Sequence, residues 1–94
     1  MQMKKMAQDF CEDRDWDQFH NPKDLAIGLV TEASELLEIF RFVNEENSNK
    51  LLSDPGKKQA MEDELADVLF FLLRFSQMND IDLEKSFYRK VAST

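Results

Sequence analysis

The chain is poor in the residues that staple, bend or anchor a protein. Cys11 is the only cysteine, so no internal disulfide can form and no thiolate zinc site can be assembled. Two glycines and two prolines in 94 residues leave little material for turns, which favours a few long helices over a many-stranded sheet. Positive charge is scarce: 12 Lys and Arg stand against 19 Asp and Glu, for a formal net charge of −7. Such a surface repels a phosphate backbone, so no nucleic-acid partner is expected. A small anionic ligand is compatible with it if a divalent cation stands between the two sets of negative charge. The longest apolar run, Val68–Leu73, falls far short of the ~20 residues that span a bilayer. Lys4 and Lys5 are not followed by an apolar stretch of signal-peptide type. The expectation is a soluble protein with no membrane partner, in a reducing, cytoplasmic setting, folded as a single domain over residues 1–94.

What is present is helical periodicity. Met3, Met6, Ala7 and Phe10 recur at helical spacing and predict a first helix over 2–14. The stretch 15–20 is a connector carrying Trp16 and Phe19. Asn21 offers an N-cap, with Pro22 at the first helical position and Asp24 in the first turn, and predicts a second helix over 22–43. Residues 44–53 are polar and read as a loop. Ser53 or Asp54 with Pro55 opens a third helix over 55–78, and Asp82 caps a short fourth over 82–92. No strand-like alternation occurs, so the fold class is all-α, a four-helix bundle-type domain. The run Val68–Leu73 is apolar right round the third helix, and a helix apolar on all sides must be buried on all sides. In so small a domain another subunit most easily covers the remaining side, which predicts a homodimer or homotetramer.

The acids carry the chemistry. Glu32 and Glu35 on the second helix, and Glu64 and Asp67 on the third, are pairs three residues apart, which point in nearly the same direction. Acidic pairs at that spacing are common on solvated faces. On the helical wheel, however, Glu32 falls between Leu25 and Ile39, and Glu64 between Phe71 and Phe75, both on apolar arcs. Clustered carboxylates in such places need neutralising, and Arg74 is the one cation near them, close to Asp67 on its wheel. A hard divalent cation answers the need better: Mg²⁺, with Mn²⁺ as a substitute, prefers oxygen ligands and keeps positions for water and phosphate. A di-iron bundle would need Glu-x-x-His motifs, and the sole histidine, His20, lies in the connector. Glu38, one turn beyond Glu35, is either a second ligand or base, or a solvated side chain.

At this point the residues resemble a known family. Glu32-x-x-Glu35-x-x-Glu38, followed by Glu64-x-x-Asp67, is similar to the signature of the MazG-like all-α nucleoside triphosphate pyrophosphohydrolases. The block 14–20, Arg-Asp-Trp-Asp-Gln-Phe-His, looks more narrowly like the dCTP pyrophosphatase branch. The resemblance implies Mg²⁺-dependent cleavage of a (deoxy)nucleoside triphosphate, dCTP-like, to the monophosphate and pyrophosphate, as in nucleotide-pool house-cleaning. It implies Mg²⁺ ligation by Glu32, Glu35, Glu64 and Asp67, with Glu35 and Glu38 as candidates for the catalytic acids. It also implies an aromatic base pocket at Trp16 and His20, with Phe42 where that branch often has Trp and Phe71 where it often has Tyr. The branch usually continues past the last helix with a basic segment, so Lys90 is expected as the last phosphate-facing cation.

Each assignment has a plainer counterpart. Trp16 and Phe19 also suit wedges that close the corner after the first helix. His20 also suits a turn residue, or a hydrogen-bond donor to phosphate. At the level of the whole chain, the competing function is a non-catalytic helical oligomer that senses nucleotide or docks a partner.

Overall fold

A computed structural model describes residues 2–93 as five α-helices: α1 (Gln2–Asp13), α2 (Pro22–Glu38), α3 (Glu45–Leu51), α4 (Pro55–Met78) and α5 (Leu83–Ala92). No strand occurs among the described residues, and none of their helices is long and apolar enough to cross a membrane. The all-α expectation stands. Its third and fourth helices correspond to α4 and α5.

The starts of these helices follow their capping chemistry. The Asn21 side chain accepts from the Asp24 backbone N–H, Pro22 occupies the first helical position, and α2 begins there. Asp54 serves α4 in the same way, accepting from Gly56 and Lys57, and Asp82 serves α5, accepting from Lys85. Asp80 reverses the chain after α4 with φ 54°.

Two features differ from the sequence reading by more than a residue. The second helix was expected to reach residue 43 but ends at Glu38, and Ile39–Phe42 form successive turns in which Phe42 adopts φ 64°. The stretch expected as a loop contains α3. Asn44 caps it by accepting from Asn47, Glu45 and Glu46 sit in its first turn, and Lys50 sits in its last. Those charges match the helix dipole at both ends. A helix with no buried residue leaves no apolar stripe to be read from sequence.

Packing centres on α4, which lies against both α2 and α1. The core is small: Ala7, Cys11, Leu25, Met61 and Leu73 are the buried apolar residues. Burial also pushes the Cys11 thiol above its ordinary range. Lys4 Nζ donates to the Ile81 carbonyl at 2.7 Å and ties the start of α1 to the α4–α5 turn. Phe10 meets Phe70 edge-on at 5.8 Å. The all-round burial expected of Val68–Leu73 is not met within one chain, since Leu69 and Leu72 are each 36% exposed.

Candidate functional site

Gly28 of α2 lies against Phe71 of α4, while further along α2 the Glu32 and Glu35 carboxylates meet that of Glu64. Moving forward on α2 therefore moves backward on α4, so the two helices run antiparallel and bring their acids together. Carboxylate oxygens of Glu32, Glu35 and Glu64 all lie within 4.8 Å of one another. One oxygen of Glu32 and one of Glu64 are buried without a hydrogen-bond partner. A buried polar atom left unpaired costs about 1–3 kcal/mol, and like charges gathered in one cluster add to the cost. Burial pushes the Glu32 carboxyl up to about 7, with the neighbouring Glu35 and Asp67 charges adding to it. Burial and Glu35 push Glu64 in the same direction.

Several of the chain's cations are engaged elsewhere. Arg41 pairs with Glu38 at 2.9 Å, Lys5 with Asp9 at 2.9 Å, and Lys50 with Glu46 at 3.8 Å. Arg74, which the helical wheel set beside Asp67, turns instead toward the connector. Its guanidinium donates through Nε to His20 Nδ1 at 3.0 Å, through Nη2 to Asp17, and through Nη1 to Gln77. That bond leaves His20 with its proton on Nε2. Burial and the Arg74 charge lower the imidazole's pKa from 6.5 and keep it neutral. The acid cluster is thus a set of hard oxygen donors, two of them unsatisfied, which fits a divalent cation such as Mg²⁺.

Beside the acids lies a cavity of about 680 Å³, lined by Met3, Met6, Ala7 and Phe10 of α1, by Trp16, by Glu32, and by Ala66, Asp67, Leu69, Phe70, Phe71 and Leu73 of α4. Trp16 meets Phe10 edge-on at 5.3 Å and His20 at 6.3 Å. Phe70 and Phe71 meet at 5.6 Å with an interplanar angle of 87°. Aromatic and thioether walls with acids at one edge suit a flat apolar ring attached to a charged group.

The structure brings some sequence-predicted residues together and leaves others apart. Glu32, Glu35 and Glu64 form the cluster. Asp67 is outside that group and exposed, yet it lines the cavity with Glu32 and its charge raises the Glu32 carboxyl. Trp16 and Phe71 line the cavity, and His20 stands behind Trp16. Glu38 is not in that group, and its exposed carboxylate pairs with Arg41. Phe42 is 94% exposed, with the Arg41 guanidinium 4.9 Å from its ring, and does not line the cavity within this chain. The left-handed turn after α2 carries it away. Lys90 lies exposed in the last turn of α5. Sequence reasoning missed the α1 wall. Met3, Met6, Ala7 and Phe10 served only as the spacing that predicts the first helix, and nothing in periodicity separates a stripe facing core from one facing a cavity.

Residues 20–92 match the MazG nucleotide pyrophosphohydrolase domain. Among curated proteins, the chain is similar to dCTP pyrophosphatase 1 of Rattus norvegicus, 30% identical over 89 residues covering 95% of this chain and 52% of that protein. It is also similar to dCTP pyrophosphatase 1 of Homo sapiens, 32% identical over 81 residues covering 86% of this chain and 48% of that one. The chain spans about half the length of the curated relatives it matches. Among solved structures, a pyrophosphatase from Archaeoglobus fulgidus superposes with a TM-score of 0.91 at 30% identity, covering 98% of this chain and 84% of that one.

Proposed function

The chain belongs to the MazG nucleotide pyrophosphohydrolase family, and from that premise we propose that it hydrolyses a (deoxy)nucleoside triphosphate to the monophosphate and pyrophosphate. A cytosine deoxynucleotide is the favoured substrate, by likeness to relatives named for dCTP. The observation that carries the reading is the pair of unsatisfied buried carboxylate oxygens, on Glu32 and Glu64, at the edge of an aromatic cavity. Glu32, Glu35 and Glu64 would hold Mg²⁺, with Asp67 completing the set from the cavity side. The bound cation would supply charge neutralisation for the polyphosphate and Lewis-acid activation of water.

The protein's own residues do the rest. Trp16, Phe70 and Phe71 offer faces and edges on which a base can stack, and Met3, Met6 and Phe10 keep water from its other side. Glu35, the exposed acid of the cluster, would serve as ligand and as the group that orients the attacking water. The neutral His20 fixes the back of Trp16 rather than meeting phosphate. Homo-oligomerisation belongs to the same proposal, since Val30, Leu37, Phe42 and Leu65 are all more than half exposed in one chain. A cytoplasmic setting agrees with nucleotide substrates and a single buried thiol.

The test is pyrophosphate release from each dNTP with Mg²⁺. Turnover is expected to be greatest with dCTP and to fall on the order of 100-fold or more in Glu35→Gln. A folded protein that binds nucleotide but releases no pyrophosphate would instead be a sensor or regulator.

A further inference from the structure

Gly28 sits in the middle of α2 with an ordinary helical backbone, so no turn or positive φ calls for glycine there. The reason for it lies across the interface. A Cβ on Gly28 would stand 2.4 Å from Phe71 Cε1, 2.7 Å from Cζ and 2.8 Å from Cδ1. Those are three consecutive atoms along one edge of a rigid ring, so no small rotation of a flexible tip relieves the overlap. The whole ring would have to move away from α2. Phe70 stands edge-on to Phe71 and restricts it on one side, and the ring also lines the cavity, where there is open space to receive it.

We propose that Gly28 is a specificity-determining residue: its bare backbone lets the Phe71 ring sink against α2, and this sets how deep the cavity beside Glu32 and Asp67 is and how large a base it admits. The proposal rests on the nucleotide reading above. Any side chain at position 28 moves the ring into the cavity and shortens it. The loss falls on binding of the base, which is shared by ground and transition states, and not on the acids that handle the polyphosphate. It therefore falls hardest on the larger, purine bases.

The experiment compares wild type, Gly28→Ala, Phe71→Leu and the double variant. Dissociation constants for dCTP and dATP are read from the fluorescence of Trp16, the single tryptophan and itself a cavity wall. Hydrolysis is followed separately, and circular dichroism confirms the helices. Gly28→Ala is expected to weaken dATP on the order of tenfold and dCTP less, with KM rising and kcat nearly unchanged. In the Phe71→Leu background, which by itself gives up a stacking face, Gly28→Ala is expected to cost little further, because the shorter side chain no longer meets the added methyl group. Dissociation constants unaltered by Gly28→Ala, raised equally for both nucleotides, or raised by Gly28→Ala as much in the Phe71→Leu background as in wild type would overturn the proposal. Wild type that binds but does not hydrolyse overturns the catalytic reading alone and leaves this cycle to be decided by binding. Wild type that binds neither nucleotide overturns both.

Discussion

Glu32 concentrates the electrostatics of the site in one side chain. In the unfolded chain its carboxyl loses its proton in the ordinary range near 4.5, whereas in the fold burial and the adjacent acids hold the proton to about 7. Between those values the folded protein binds more protons than the unfolded one, so stability falls as pH rises. The contribution is fully present below the ordinary range and is lost as pH passes through about 7. Glu64 acts with the same sign. A cation replaces the proton, so binding should strengthen as the acids ionise. The rise in Tm on adding Mg²⁺ is expected to be small near pH ~5.5 and clearly larger near pH ~8. An equal rise at both pH values, in a thermal melt followed by circular dichroism, would argue against carboxylate ligation.

Between elements, the decisive contact is Arg74. It is 1% exposed, and from α4 it reaches His20, Asp17 and Gln77, so it clamps the connector's 3₁₀ turn, Asp17–Phe19, and with it Trp16, to the helix that carries Glu64. Removing it strands the His20 and Gln77 acceptors and leaves the space of a long side chain, whereas Asp17 is half exposed and returns to water. Arg74→Met is therefore expected to destabilise by about 2–3 kcal/mol, below the full loss of a doubly buried ion pair. Urea denaturation measures this, and a red-shifted Trp16 emission should accompany it as the corner loosens. Had the wheel position of Arg74 beside Asp67 decided its role, the same variant would instead change the acids and leave Trp16 unmoved.

As a whole, a single chain exposes more surface than its mass warrants. Its accessible area is 7274 Å², against about 5,700 Å² for a compact monomer of 11.1 kDa. Its radius of gyration is 15.7 Å, against about 12 Å for a compact domain of this length. The excess of about 1,600 Å² per chain falls in the range that obligate interfaces bury. Val30 and Leu37, two turns apart on α2, are 69% and 71% exposed and form one uncovered stripe. Light scattering is expected to return two or four times the 11.1 kDa chain mass. Leu37→Glu, which sets a charge on that stripe, is expected to lower it. A monomer that stays folded at micromolar concentration would refute the homo-oligomer.

Local chemistry settled much in advance. The caps Asn21, Asp54 and Asp82 mark helix starts because their side chains satisfy backbone donors a few residues away. The three-residue spacing of the acids puts each pair on one face because the helical repeat is fixed. Sequence alone therefore determined the helix class and most boundaries, and it singled out the three acids, Glu32, Glu35 and Glu64, that the structure draws together, though not that Asp67 stays outside their group. It could not show that Arg74 turns to His20, that Glu38 turns to Arg41, that Phe42 swings outward, or that α1 walls a cavity. Each depends on which surfaces face one another across different elements, and helical periodicity carries no information about that. The value of Gly28 has the same origin, for only the antiparallel packing of α2 on α4 brings the Phe71 ring to the place where a Cβ would be.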